Sequence, residues 1–149
     1  MAKIDKLIIA DEILDASIEE YLDKRRCSAA LNLSGVAQEI YGKAIRIEKG
    51  TDTISKIADE SFSIYKNNHN SEATLKEFKK ISVHAKNGIK HFDNTSDRYL
   101  EFNPAKEARL MIAIALNDKI QLKRSLSSWD KRFKEFVAIY NWHHSTKVT

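Results

Sequence analysis

Apolar residues in this chain return at intervals of three and four and almost nowhere at two, the period of amphipathic helices rather than strands. Only 4 glycines and 1 proline interrupt the pattern, so helix is expected nearly throughout. The first predicted helix runs from about Asp11 to Lys24, with Ile13, Leu14, Ser17, Ile18, Tyr21 and Leu22 on its inner stripe. A second, from about Ser28 to Glu48, inserts Ala30, Leu33, Ala37, Tyr41 and Ala44. Its small side chains, with Gly35 beside them, allow a neighbouring helix to come close. Gly50 is placed to end it in the left-handed conformation.

Thr51 or Asp52 can cap a third helix carrying Ile54, Ile57, Ala58, Ser61, Ile64 and Tyr65, which the polar run Asn67-Asn68-His69-Asn70 turns. Ser71 is the expected cap of a fourth helix, whose apolar side holds Leu75, Phe78, Ser82, Ala85, Ile89 and Phe92. An irregular segment follows through Asp93, Asn94, Thr95, Ser96 and Asp97, with Tyr99 to Phe102 briefly extended. Asn103-Pro104 is a start signal for a fifth helix with Ala108, Met111, Ile112, Ala115 and Leu116 inward. Ser127 with Asp130 reads as a capping box for a last helix bearing Trp129, Phe133, Phe136, Val137 and Tyr140. Short connections join these helices, and neither a linker nor a repeat divides them. The expected architecture is therefore all-α, one antiparallel bundle of about five or six helices over residues 1–149.

Composition narrows the class. A 149-residue chain with 42% apolar and 31% charged residues can bury a core and is too apolar to be disordered. The run Leu7-Ile8-Ile9-Ala10 meets Asp11 and Glu12 at once, too short for a signal-peptide core or a membrane span. A soluble, cytoplasmic protein without a membrane partner is expected. The single cysteine, Cys27, permits no intrachain disulfide and reads as a buried small hydrophobe. The net charge of +4 is unevenly spread: residues 1–118 carry 18 Lys/Arg against 19 Asp/Glu, whereas 119–149 carry 7 against 2. A basic last helix attracts phosphates or acidic partners, unless its cations simply solvate one face.

Titratable groups gather on the fourth predicted helix. His84, Asn87 and His91 fall on the side opposite its apolar stripe, with Gly88 beside them, whereas Lys86 and Lys90 lie toward the other edge. His84 and His91 are two turns apart, roughly 10 Å, too far to share one ion with ligand bonds of about 2 Å. No metal or cofactor site is read from the chain, and His143-His144 reads as a solvated helix end.

Lys86-Asn87-Gly88-Ile89-Lys90-His91 resembles the signature of HEPN-like domains: an arginine, four to six residues, then a histidine, often with asparagine directly after the arginine. The alanine-rich stretch from Ser28 to Ile40, the step His91-Phe92-Asp93, and Phe102-Asn103-Pro104 before another alanine-rich helix agree with it, over about residues 10–122. The resemblance implies a homodimer in which motif helices of two subunits meet. It further implies metal-independent RNA cleavage in phage defence or beside a cognate protein of a toxin–antitoxin pair. Histidine suits the proton transfers such cleavage requires. Catalytic roles then fall to His91, Lys86 and Asn87. Lys86 and His91 diverge by about 140° on one helix, so two chains would assemble the site. Lys86 departs from the family pattern: it keeps the charge of arginine but loses the planar fork that clamps a phosphate. On this reading Lys86→Arg would restore cutting. The alternative is a non-catalytic helical module that binds a protein partner or a nucleotide.

Overall fold

The computed structural model describes residues 2–68, 73–91 and 93–145, with side chains as far as Asn141. Among these residues it contains seven α-helices, one short 3-10 turn and no strand: α1 (Lys6–Leu22), α2 (Cys27–Lys49), α3 (Thr53–Asn68), α4 (Leu75–Ser82), α5 (His84–Gly88), the 3-10 turn Thr95–Arg98, α6 (Pro104–Gln121) and α7 (Ser128–Ser145). The all-α bundle is therefore observed, with one helix more than expected because the fourth predicted helix is broken. Val83, with φ −118° and ψ 7°, leaves the helical region and separates α4 from α5.

Local signals explain most boundaries. Asp5 caps α1 by accepting from the Leu7 amide at 2.9 Å, so this helix starts before Asp11. Gly50 ends α2 at φ 83°. Asp52 caps α3, accepting from the Ser55 amide at 2.9 Å. Thr74 and Glu77 form the capping box of α4; Ser71, expected in that role, lies outside the described residues, as do His69, Asn70 and Phe92. Asn103 accepts from the Lys106 amide with Pro104 in the first turn of α6. The Ser127–Asp130 capping box opens α7, with Ser127 N donating to Asp130 Oδ2 at 2.8 Å and Asp130 N to Ser127 Oγ at 3.1 Å.

The core lies where α2 packs between α1 and α6, built from Leu14, Ile18, Leu31, Tyr41, Met111, Ile112 and Leu116, and α7 closes it with Phe133. Tyr21 meets Phe133 and Phe136 edge-on at 6.1 and 5.7 Å. Ser17, on the inner stripe of α1, is satisfied by donating to the Ala30 carbonyl of α2 at 2.7 Å. By contrast, α3 and α4 form an arm held mainly by Phe62 and Tyr65 against Phe78. Ile57 and Ile64, expected to face inward, are 36% and 64% exposed because only the start of α3 reaches α6. Cys27 is free and half-buried at the start of α2 rather than fully enclosed.

Charge penetrates this core in two places. Lys119, fully buried, donates to Asp130 Oδ2 at 2.5 Å and lies 3.6 Å from Asp11. Asp11 also accepts from Arg124 through two nitrogens and from Tyr41 Oη at 2.6 Å. Burial pushes the Asp11 carboxyl up, but the hydrogen bonds from Arg124 and Tyr41 and the charges of Lys119 and Arg124 together hold it below its ordinary value. The same burial, with donation to Asp11, raises the Tyr41 phenol. On the other side of α6, buried Asp118 accepts from Thr53 N at 3.1 Å, from Thr53 Oγ1 and from Gln38 Nε2 at 3.3 Å. Desolvation nonetheless raises its carboxyl above the usual range. Three cations of the basic C-terminal stretch, Lys119, Arg124 and Arg132, are thus held by Asp130, Asp11 and Asp23. The Lys119 pair is enclosed and the Arg124 pair part-buried, whereas Arg132–Asp23 lies at the surface.

Candidate functional site

The break at Val83 sets α5 against α2, and α5 separates its own polar residues by side. Lys86 turns toward α2 and is 5% exposed. Its stem lies on Gly35, where an added Cβ would sit 2.6 Å from Lys86 Cγ, so only glycine admits this approach. Its Nζ is 3.0 Å from Glu39 Oε1 and donates to Gln38 Oε1 at 3.4 Å. Glu39 also accepts from Lys90 at 3.1 Å. Burial raises the Glu39 carboxyl, and the two lysines outweigh it and hold the group below its ordinary value. Because Gln38 donates onward to Asp118, Lys86 ends a hydrogen-bond chain running from α5 to the core.

The opposite side opens into a groove of about 770 Å³. Its helical wall carries Lys80, His84 and Asn87. The helix stops at Gly88, short of His91, and Ile89-Lys90 turn the chain so that His91 lines the same groove. The facing wall is the segment from Asp93 to Glu101, brought close because Leu100 packs on Gly88; a Cβ there would lie 2.7 Å from Leu100 Cδ1. The turn beneath is capped reciprocally by Asn94 and Asp97, with Asp97 accepting from the Asp93 and Asn94 amides at 2.8 and 3.1 Å.

Of the three residues predicted to act together, the structure brings Asn87 and His91 to one exposed groove and puts Lys86 on the far side of α5, in the α2 interface. His84 joins the groove. Asn87 and the two imidazoles are solvent-exposed. The side chains of His143 and His144 lie outside the described residues. Among the described residues, no group of three or more His, Cys, Asp or Glu is arranged to hold a metal ion, and no helix is long and apolar enough to cross a membrane.

Two features escaped the sequence reading. Tyr99, which lines the groove, is 79% exposed, although the chain's aromatics otherwise fall mostly on apolar stripes. A signal existed: it follows the polar run Asp93 to Arg98 and has no helical period around it. Lys119 continues the apolar stripe Ala108, Ile112, Ala115, Leu116, and a charge at that step marks a buried ion pair. The chain matches no known protein-family model, no curated protein and no solved structure.

Proposed function

We propose that this chain is a HEPN-like helical domain that works as a homodimer and binds single-stranded RNA without cutting it. The observation that carries this reading is the withdrawal of Lys86. Metal-free cleavage needs a base for the 2′-hydroxyl, an acid for the departing oxygen and a cation beside the phosphorus. His84 and His91 suit the proton transfers, but the motif cation is buried against Glu39 and Gln38 on the wrong side of α5. A second subunit cannot supply it either, since its own Lys86 is buried in the same way. What remains at the groove is Lys80, which stands on α4 outside the motif, with the exposed polar groups His84, Asn87 and His91, suited to binding and available to a twofold-related copy.

The test is fluorescence anisotropy with a labelled 12-nucleotide single strand in excess chelator, with the same mixture run on a denaturing gel. Saturable binding, intact RNA, and weaker binding by the combined His84→Ala, Asn87→Ala, His91→Ala variant are expected. Product that vanishes in His91→Ala would establish cutting and overturn the non-catalytic assignment. Absence of binding, with the protein capturing a protein or a free nucleotide instead, would favour an interaction module. Sedimentation as a monomer at micromolar concentration would remove the dimer.

A further inference from the structure

Tyr99 is a large aromatic ring displayed on the wall of the groove that holds His84, Asn87 and His91, and the fold fixes it there from both sides. Before it stands the reciprocally capped turn Thr95–Arg98. After it, Leu100 is seated on Gly88, a fit that any added side-chain atom at residue 88 would disturb. The ring contacts the Arg98 guanidinium, 5.6 Å from its centroid, and remains 79% exposed. An exposed aromatic on an anchored stretch of backbone, beside hydrogen-bonding groups, is the arrangement on which unstacked bases lie.

The charge of the groove indicates which part of a nucleic acid it suits. Lys80 faces Asp93, Asp97 and Glu101 across the groove, which therefore lacks the net positive charge of a channel that tracks phosphates. Asp97 is occupied by the amides of Asp93 and Asn94. The carboxylates of Asp93 and Glu101 are exposed and make no hydrogen bond to other described residues. Such acceptors match exocyclic amino groups, as on cytosine, better than the single N3–H of uracil, which lies between two carbonyls that a carboxylate repels.

We infer that the groove takes one unpaired nucleobase, stacked on Tyr99, with Asp93 or Glu101 accepting from its amino edge and Asn87 within the same recess. This rests on the RNA-binding reading and adds the part of the RNA that is held and the side chain that holds it. Arg98, beside the ring, and Lys80, on the opposite wall, are the cations available to the flanking phosphates.

Binding of 12-mer oligocytidine, oligouridine and an abasic ribose-phosphate strand to the wild type, Tyr99→Ala and Tyr99→Phe tests the assignment. Oligocytidine should bind the wild type more tightly than oligouridine. Tyr99→Ala should weaken oligocytidine binding by about 5- to 150-fold, the range of one lost base stack. Tyr99→Phe should stay near the wild type, and the abasic strand should not distinguish Tyr99→Ala from it. If the wild type binds RNA but Tyr99→Ala binds oligocytidine equally well, the base site falls and the RNA reading stands. If the wild type binds none of the three strands, both fall. Loss of self-association in Tyr99→Ala, with RNA binding intact, would make Tyr99 a protein contact and overturn the inference.

Discussion

Replacing Lys119 by methionine keeps the unbranched stem, one atom shorter, and removes its charge from a place where water cannot substitute. The lysine side chain is 2% exposed and that of Asp130 is fully buried, with Nζ and Oδ2 2.5 Å apart. Asp130 Oδ1 has no hydrogen-bond partner, so the carboxylate depends on Lys119 and on the Ser127 amide. Breaking a buried pair from one side typically costs about 3 to 5 kcal/mol, because the remaining charge stays desolvated. Asp11 limits the damage, since Arg124 and Tyr41 still hold it. For a chain of this size each kcal/mol lowers Tm by about 2 to 4 °C, so Lys119→Met should melt roughly 6 to 20 °C early. Urea unfolding followed by circular dichroism measures the loss directly. Adding Asp130→Asn should recover part of it, because the charge disappears while an oxygen remains for the Ser127 amide. A loss below about 1 kcal/mol, the size expected of an exposed pair such as Arg132–Asp23, would refute the claim that this ion pair is sealed from solvent.

Gly35→Ala should destabilise by about 1 to 3 kcal/mol, since its methyl would overlap the Lys86 stem, and amide exchange should accelerate selectively in α5; a neutral melt would refute the contact. Lys86→Arg should create no ribonuclease activity, because position 86 faces α2, and it should lower Tm by crowding the same contact; RNA product on a gel would contradict this. Asp11, whose carboxyl is held below its unfolded value, contributes stability that is present above about pH 4 and lost as pH falls through the folded value. The stability gap between wild type and Asp11→Asn should therefore shrink as pH drops below about 4, and a gap unchanged from pH 7 to 3 would dismiss this role.

The helices were legible where a local signal and a periodic stripe coincide. Asn103-Pro104, Gly50 and the Ser127–Asp130 box act within a few residues of themselves, and each is found where the sequence indicated. The break at Val83 was not legible, because the stripe Leu75, Phe78, Ser82, Ala85 and Ile89 continues through it; what interrupts the helix is that α4 leans on α3 while α5 turns to α2. The positions of His84 and Asn87 followed from the helical wheel. That Lys86 would be enclosed did not, because a lysine becomes internal only through a partner distant in sequence, here Gly35 and Glu39. The anions that pair with Lys119, Arg124 and Arg132 of the basic C-terminal stretch were hidden for the same reason, coming from α1, the turn after it and the start of α7.

Asp118 and Lys119 are neighbours on α6, both enclosed, and about 100° apart around its axis. The carboxylate is received by Gln38 and Thr53, the ammonium by Asp130. A slip of one residue along α6 would present lysine to a recess of donors, or aspartate to another aspartate. Apolar side chains tolerate such rotation by repacking; two opposite charges with separate receptors do not. Adjacent ionic residues thereby give α6 a single rotational setting, a form of indexing that greasy surfaces alone would leave loose.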